Sequence, residues 1–382
     1  MNQAAGIALI LLSVGCGGGQ ASDAAPPPGP EYRETRIDVG DAAASPLVLD
    51  VNRDGVPDLL VASTGEGAVS VLLGEGDGSF REAGEIPAGE NPVDLAAGDL
   101  DEDGWIDLVV ANHETDYVSL AFGTASGFEV RAGSRFPVGV SPHPHAVALG
   151  DLDGDGHLDL LVDDRDSEGL RLFPGRGDGT FSAGEAIAVG GDPYRGMAIA
   201  DLDGDGDLDL LTPNPGSVAV LTGDGTGRFT SAVSLSAPDL QPFSVTAADV
   251  NGDGNLDVVA GSGEGSPGVA VWYGQQDGAF SPDARSPYPV AAGPTSLSVH
   301  DVDGDGVDDV LSTSYVGDEL AILFGDAGAA AGAGLRVRRI PVAGSPWGVA
   351  AGDLDGDGRM DLVTANDGSG EVSVLLARDG GQ

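Results

Sequence analysis

Seven copies of one nine-residue acidic string divide this chain, and their regular spacing constrains its fold more than any other feature. The strings are DVNRDGVPD, DLDEDGWID, DLDGDGHLD, DLDGDGDLD, DVNGDGNLD, DVDGDGVDD and DLDGDGRMD, and they begin at Asp50, Asp99, Asp151, Asp201, Asp249, Asp301 and Asp353. Successive first aspartates lie 49, 52, 50, 48, 52 and 52 residues apart. Self-similarity at such a period is the signature of a repeat architecture. We therefore predict a repeat protein.

Each string has the ligand pattern of a calcium loop. Oxygen-bearing side chains occupy positions 1, 3, 5 and 9, and a glycine at position 6 permits the tight turn that folds them around one hard cation. Position 7 varies freely, as expected if only its backbone carbonyl binds. We predict up to seven calcium ions, with the ligands Asp50, Asn52, Asp54, Val56 and Asp58; Asp99, Asp101, Asp103, Trp105 and Asp107; Asp151, Asp153, Asp155, His157 and Asp159; Asp201, Asp203, Asp205, Asp207 and Asp209; Asp249, Asn251, Asp253, Asn255 and Asp257; Asp301, Asp303, Asp305, Val307 and Asp309; Asp353, Asp355, Asp357, Arg359 and Asp361.

The alternative is that these strings are plain turns, because aspartate and glycine favour turns for backbone reasons alone. Unpaired carboxylates about 5 Å apart repel by roughly 3 kcal/mol per pair at an effective dielectric near 20. Repulsion of this size disfavours clustered carboxylates in a turn that binds no cation. The seven strings together therefore favour metal binding. The alternative stays open for single copies, above all for the first, which contains Arg53 and Pro57.

The segments between the strings read as strands. Each string leads into an apolar, β-branched run such as DLLVAS or DLVVAN, which predicts a strand and not the helix of an EF-hand. A second apolar run follows, such as VSVLLG from Val69 or LAILFG from Leu320, and then a Gly-rich turn. Four strands per repeat are typical of a propeller blade. The strand before each string contains small residues, as expected nearest the axis, where the blades converge.

The two ends of the chain predict how the ring closes. The last repeat stops after its third strand, whereas YRETRIDVG near the start matches REAGEIPAG, which precedes the second string. The N-terminal strand is therefore predicted to complete the last blade, which removes an exposed sheet edge. We predict an all-β fold, a seven-bladed β-propeller of four-stranded antiparallel blades.

The strings resemble those of the FG-GAP/VCBS repeat family, whose bacterial members and integrin α-subunits share D-x-[DN]-x-D-G-x-x-D loops. The resemblance covers residues 31 to 378. It implies a seven-bladed propeller with calcium in the loops that join strands one and two. It does not imply one function.

The N-terminus carries an export pattern. Residues 4 to 15 read AAGIALILLSVG, an apolar run too short to span a membrane, which predicts a signal peptide over residues 1–15. LSVGC resembles the lipobox of bacterial lipoproteins, which implies lipidation of Cys16; an ordinary secretory signal is the alternative. Residues 16–30 are then a tether, and residues 31–382 form the propeller. We expect a bacterial outer-membrane or cell-surface lipoprotein, or otherwise a secreted or periplasmic protein.

Composition narrows the partners. The net charge is −45 and the chain has no lysine. Nucleic acid is excluded as a partner because phosphate binding needs a basic face. Schiff-base chemistry is excluded because the chain has no lysine to form the imine. We expect a monomer that meets a membrane only through its N-terminal lipid.

A recognition surface is predicted on the face opposite the acidic strings. The segments that lead into the first strands read SPHPH, GDPYRG, LQPF and SPWG, and they bring several rings and one arginine toward the central channel: His143, His145, Tyr194, Arg195, Phe243 and Trp347. These residues predict a stacking surface for an extracellular protein or glycan; the alternative is that they only pack the channel mouth.

We expect a binding or scaffold module and not an enzyme. The alternative is a propeller-fold polysaccharide lyase or hydrolase, with His143, His145 and Asp164 as acid or base. His113 and Glu114 begin a zinc motif of the H-E-x-x-H type, but Tyr117 stands where the second histidine is required.

Overall fold

The protein is an all-β ring of seven sheets, six of them four-stranded and one, in blade two, with its fourth strand split into two short strands. The computed structural model describes residues 30–140, 143–164, 169–191, 193, 196–263, 268–276, 278–327, 334–342 and 344–378. Within these ranges the regular elements are 29 strands. No helix long and apolar enough to span a membrane occurs among them. The predicted signal peptide, Cys16 and the tether up to residue 29 lie outside the described residues, as do Tyr194 and Arg195.

Each blade is one antiparallel sheet in chain order, except the last, which takes in the N-terminal strand. The strands are, in blade one, β2 (Ala43–Leu49), β3 (Asp58–Ser63), β4 (Ala68–Gly74) and β5 (Phe80–Pro87); in blade two, β6 (Pro92–Gly98), β7 (Asp107–Asn112), β8 (Tyr117–Thr124), β9 (Gly127–Glu129) and β10 (Arg135–Pro137); in blade three, β11 (Val147–Gly150), β12 (Asp159–Asp164), β13 (Gly169–Phe173) and β14 (Glu185–Ala188); in blade four, β15 (Ala198–Ala200), β16 (Asp209–Asn214), β17 (Ser217–Gly223) and β18 (Phe229–Ser236); in blade five, β19 (Pro242–Ala248), β20 (Asp257–Ser262), β21 (Val269–Gly274) and β22 (Phe280–Pro282); in blade six, β23 (Pro294–His300), β24 (Asp309–Ser314), β25 (Glu319–Phe324) and β26 (Arg336–Pro341); in blade seven, β27 (Pro346–Gly352), β28 (Asp361–Asn366), β29 (Glu371–Arg378) and β1 (Glu31–Asp38).

The core is divided among the seven contacts between neighbouring blades. The second strand of each blade begins at the position-9 aspartate of an acidic string and is buried along its whole length. Successive side chains of a strand point to opposite faces, so in β3 Leu59 and Val61 pack toward blade seven whereas Leu60 and Ala62 pack toward blade two. Seven apolar clusters result, one at each contact between blades.

The first strands form the inner circle. Each first strand contacts the first strands of both neighbouring blades, and these contacts run around the ring without a break. Small residues permit this convergence. At Gly98, for example, an added Cβ would lie 2.5 Å from a side-chain carbon of Leu158 in the next blade. The predicted position of the small-residue strands is therefore confirmed.

The N-terminal strand closes the ring as predicted. β1 pairs antiparallel with β29 over its whole length, from Glu31 opposite Arg378 to Asp38 opposite Glu371. The contact between blades seven and one has its own buried cluster, which Ile37 of β1 covers. The outer edge of the last blade is therefore built from the opposite end of the chain. The predicted fold class, a seven-bladed propeller of four-stranded antiparallel blades, is confirmed.

The acidic strings and the Gly-rich turns share one face. The turn of one blade reaches the acidic string of the preceding blade: the N–H of Gly179 donates to the carbonyl of Leu100 at 2.9 Å, and that of Gly227 to Leu152 at 2.9 Å. Because loops alternate between faces in an up-and-down sheet, the opposite face carries the loops between second and third strands and the segments that lead into the first strands.

Candidate functional site

The acidic strings form seven similar loops, each closed by hydrogen bonds from its own backbone to its own carboxylates. The position-1 carboxylate accepts from the N–H of the position-6 glycine at 2.8–3.0 Å in every loop. The position-5 carboxylate accepts from the N–H of position 7 at 2.8–3.0 Å. All seven position-6 glycines have φ between 84° and 96°, a conformation that glycine adopts without strain.

The position-9 aspartate anchors each loop to its sheet. In blade six Asp309 is fully buried, and its two oxygens accept from the N–H groups of Val302 at 2.9 Å and Gly325 at 2.8 Å. The same pair of bonds recurs in all seven blades, at 2.8–3.1 Å for the first and 2.7–2.9 Å for the second. Two of the four lone-pair directions of this carboxylate are thereby used, and two are left for a cation.

Burial disfavours the charged form of the position-9 aspartates when no cation is bound. It raises the pKa of Asp107 to about 6 and the pKa values of Asp257 and Asp309 to about 7. Neighbouring loop carboxylates add to the effect, while the backbone hydrogen bonds oppose it. A bound divalent cation would reverse this balance by favouring the charged form.

Carboxylates converge at the centre of the loops. In at least four loops, single oxygens of the aspartates at positions 1, 3 and 9 lie within 4.8 Å of one another. Four such sets are Asp99, Asp101 and Asp107; Asp151, Asp153 and Asp159; Asp201, Asp203 and Asp209; and Asp301, Asp303 and Asp309.

Orphaned oxygens show that these clusters are incomplete without a cation. The Oδ1 atoms of Asp101, Asp303 and Asp355, all at position 3, are buried and accept no hydrogen bond, and the same holds for Oδ1 of Asp99 at position 1. A buried anionic oxygen without a partner is costly. An all-oxygen set of carboxylates and a backbone carbonyl is the ligand set of Ca²⁺. The loop residues therefore fit the predicted metal.

Three arginines that the sequence did not predict orient the position-3 carboxylates. The other oxygen of each, Oδ2, lies near a guanidinium of the same blade: Asp101 to Arg131 at 2.6 Å, Asp303 to Arg336 at 3.6 Å and Asp355 to Arg378 at 3.9 Å. The arginine holds the outer oxygen, so Oδ1 is the atom that remains for a cation. No repeated spacing marks these arginines, which is why the strings alone do not reveal them.

Side chains at position 7 contact neighbouring loops, while the backbone carbonyl of the same residue is left for the metal. The guanidinium of Arg53 lies 4.2 Å from the ring centre of Trp105 in the next blade. Nδ1 of His157 lies 2.5 Å from Oε1 of Glu102 in the preceding blade, and this hydrogen bond raises the pKa of His157. These two contacts connect the acidic loops of blades one, two and three.

The predicted rim residues separate into two groups on the opposite face. Phe243 and Trp347 belong to the first, at the mouth of the channel, where their ring centres lie 6.4 Å apart. Tyr315, which the sequence did not single out, stacks edge-on against Trp347 at 5.1 Å. Trp347 also lines a central cavity of about 150 Å³ to which all seven blades contribute. All three rings are half-buried, so each packs on one side and is accessible on the other.

His143 and His145 form the second group, at the contact between blades two and three, and His113 joins them. His145 is buried, and its Nδ1 lies 3.0 Å from Oδ2 of Asp163. Asp164, the predicted alternative acid or base, instead pairs with Arg171 at 3.2 Å. The three histidines were not grouped at the sequence level because 30 residues separate His113 from His143.

Comparison with solved structures recovers the same architecture. BBS1N, solved in complex with ARL6DN, is 13% identical over 92% of this chain and 97% of its own, with a TM-score of 0.63. A lectin of Agrocybe aegerita that recognises non-reducing terminal N-acetylglucosamine is 19% identical over 86% of both chains, with a TM-score of 0.55. A functionally unknown protein from Desulfotomaculum acetoxidans is 13% identical over 80% of this chain and 92% of its own, with a TM-score of 0.55. Such identities show a shared fold alone.

Sequence comparison assigns the family. No curated protein matches the chain. The FG-GAP-like repeat pattern matches residues 50–110, 99–162, 164–212, 201–260 and 249–312, and the FG-GAP repeat pattern matches residues 345–375. These segments cover more than half of the chain and contain all seven acidic strings. The chain belongs to the FG-GAP repeat family.

Proposed function

We propose that this protein is an exported, calcium-stabilised propeller that binds an extracellular protein or glycan on the face opposite its acidic loops. In this proposal it is a monomeric binding or scaffold module and not an enzyme, and it meets a membrane only through a lipid on Cys16. The observation that carries the binding function is the ring cluster of Phe243, Tyr315 and Trp347 beside a cavity that all seven blades line.

Calcium has a structural role in this proposal. The residues that would hold it are the carboxylates or amides at positions 1, 3, 5 and 9 and the carbonyl at position 7 of each loop. The support is the set of buried oxygens on Asp99, Asp101, Asp303 and Asp355 that accept no hydrogen bond. Calcium supplies two positive charges that offset carboxylate repulsion. At ten times a Kd of about 0.1–1 mM, each site adds about 1.4 kcal/mol to the free energy of unfolding.

The ring cluster suits a flat apolar surface such as a sugar ring or a side chain of a partner. Aromatic rings offer a large contact area at low entropic cost, and Trp347 is held from behind, where its backbone carbonyl accepts from the hydroxyl of Thr295 at 3.1 Å and that of Thr313 at 3.3 Å. The lectin of similar fold recognises a sugar, which makes glycan binding the first class to test. The net charge of −45 disfavours acidic glycans and nucleic acid.

Export rests on the N-terminal sequence, whose apolar run and Cys16 lie outside the described residues. Calcium fits an extracellular location because it is abundant there. Membrane fractionation of cells that express the full chain or a Cys16→Ala variant tests the lipid anchor. Loss of the variant from the membrane fraction supports lipidation, whereas unchanged fractionation refutes it.

A glycan array and a polysaccharide-degradation screen on the calcium-loaded protein test the binding function. Binding without turnover that is lost in Trp347→Ala, with an unchanged melting temperature, supports the proposal. Trp105→Ala on the acidic face is the matched control, because position 7 tolerates Asn255 and Asp207 in other blades. Turnover of a polysaccharide, or binding that both variants keep, contradicts it.

A further inference from the structure

Three histidines form a cluster at the contact between blades two and three. His113 directly follows β7, and His143 and His145 lie in the segment that leads into β11. Their ring centres are 3.9, 4.7 and 4.8 Å apart. One coordinating nitrogen of each lies within 4.8 Å of the other two. Nitrogen donors from two blades therefore converge on one point.

The fold itself does not require these histidines. His145 stands six residues before the first aspartate of its string, and the equivalent residues of the other blades are Ala44, Val93, Arg195, Phe243, Thr295 and Trp347. The residue that follows the second strand is histidine only in blade two. Since the equivalent positions of the other blades carry different residues, the repeat itself does not select three imidazoles at one contact.

A buried carboxylate orients the cluster. Oδ1 of Asp163 accepts from the backbone N–H groups of His145 at 2.7 Å and Ala146 at 2.9 Å, which fixes the carboxylate, and Oδ2 lies 3.0 Å from Nδ1 of His145. Asp163 and His145 are each only 2% exposed. With Nδ1 as the donor to Asp163, the lone pair of His145 is on Nε2. A carboxylate behind a histidine is the usual support of a metal-binding imidazole.

His113 has the same arrangement with partly exposed partners. Its Nδ1 lies 3.2 Å from Oε1 of Glu114 and 3.5 Å from Nδ2 of Asn91. Beside His143 a groove of about 530 Å³ is lined by Glu90, Glu114 and Asp116, and these acids favour the approach of a cation.

We propose that His113, His143 and His145 bind a divalent transition-metal ion of the zinc class, with Asp163 as the orienting carboxylate. Imidazole nitrogen suits Zn²⁺ and its neighbours, whereas Ca²⁺ takes oxygen, so this site and the acidic loops select different ions. Three histidines leave one position of a tetrahedral ion for water or for a ligand from the groove. The nitrogens of one such ion lie about 3.3 Å apart, so side-chain rotations of the half-buried His113 and His143 complete the site.

Metal binding to the full-length protein in saturating calcium tests this site, because calcium then occupies the acidic loops. Equilibrium dialysis with Zn²⁺ and elemental analysis are expected to give one zinc per chain, and Co²⁺ is expected to give the intense visible absorption of a four-coordinate ion. His143→Ala is expected to lose both signals with little change in the melt, since its ring is half-buried. Asp163→Asn is expected to weaken Zn²⁺ binding about 10- to 100-fold.

His300→Ala is the matched control. This half-buried histidine lies in β23 of blade six, and the residue that precedes the first aspartate of the string is alanine in blades four and five, Ala200 and Ala248, so the variant is expected to keep its fold and its zinc. If the Asp163→Asn variant melts early, the absorption spectrum of Co²⁺ with folded His143→Ala still decides the question. Less than one zinc per chain in the wild type, zinc retained by His143→Ala, or zinc lost equally from His300→Ala overturns the proposal.

Discussion

The substitution Asp309→Asn probes the balance between burial, hydrogen bonding and calcium within one loop. Asp309 is fully buried and accepts from two backbone N–H groups, and its loop contains the orphaned Oδ1 of Asp303. Asparagine keeps one acceptor and turns its NH₂ group toward the other N–H. The substitution is therefore expected to change stability by different amounts with and without calcium.

Calcium is expected to stabilise the variant less than the wild type. Loss of this calcium site lowers the variant's gain from calcium by about 1.4 kcal/mol at ten times the Kd of the site. In EDTA at about pH 8 the wild type carries a buried charge whose pKa is raised to about 7, which costs about 4 kcal/mol relative to an unfolded-state pKa near 3.9. The neutral variant avoids this cost, while its unpaired N–H costs about 1–3 kcal/mol. In EDTA the variant is therefore expected to be at least as stable as the wild type, and calcium is expected to lower its relative stability by about 1.4 kcal/mol.

Urea unfolding of both proteins in calcium and in EDTA, at the same pH, measures this difference. Glu82→Gln, which removes one exposed charge on β5, is the control and is expected to change neither value by more than about 0.5 kcal/mol. An equal loss of stability for Asp309→Asn in calcium and in EDTA would refute the reasoning, because calcium and the buried charge would then contribute nothing to this loop.

Three further perturbations test other parts of the structure. The metal-free protein is expected to have a higher melting temperature at about pH 5.5 than at about pH 8. Burial raises the pKa values of the position-9 aspartates, and stability is lost as pH rises through them. A melting temperature in EDTA that does not change, or rises, with pH contradicts this. Removal of residues 1–38 exposes the edge of β29, so it is expected to lower the melting temperature and to give oligomers that size-exclusion chromatography detects. Removal of residues 1–29 is expected to change neither property. Equal behaviour of the two truncations argues against closure by β1. Leu60→Ala is expected to lower the free energy of unfolding in urea by about 2–5 kcal/mol, because Leu60 is fully buried. Val316→Ala, at an exposed residue, is expected to lower it by less than about 0.5 kcal/mol. Similar losses would contradict the assignment of the core.

Much of the fold was predictable because the sequence repeats its physical constraints seven times. The strings locate the loop between the first and second strands, and the continuous apolar runs that follow them indicate which strands are buried. Pairing of β1 with β29 followed from a missing fourth strand at one end and an extra strand at the other. The split outer edge of blade two, β9 and β10, was not predicted. There Gly133 adopts a φ of 93° between the two strands and interrupts the pairing with β8.

The site was predictable only where its residues are close in sequence. Each acidic loop lies within nine consecutive residues, so the string alone locates its ligands. Arg131, Arg336 and Arg378 reach their loops from the outer parts of the blades, and no common spacing connects them to the strings. The histidine cluster depends on the packing of blade two against blade three. Contacts of this kind follow from the closed ring and are visible only in three dimensions.

Calcium stoichiometry tests the central claim most directly. Equilibrium dialysis of the metal-free protein against millimolar calcium, followed by elemental analysis, is expected to give several calcium ions per chain and at most one for each of the seven loops. The same protein is expected to melt many degrees higher with calcium than in excess EGTA. A protein that retains no calcium after dialysis and melts at one temperature in both buffers would contradict the claim that cations stabilise the acidic loops.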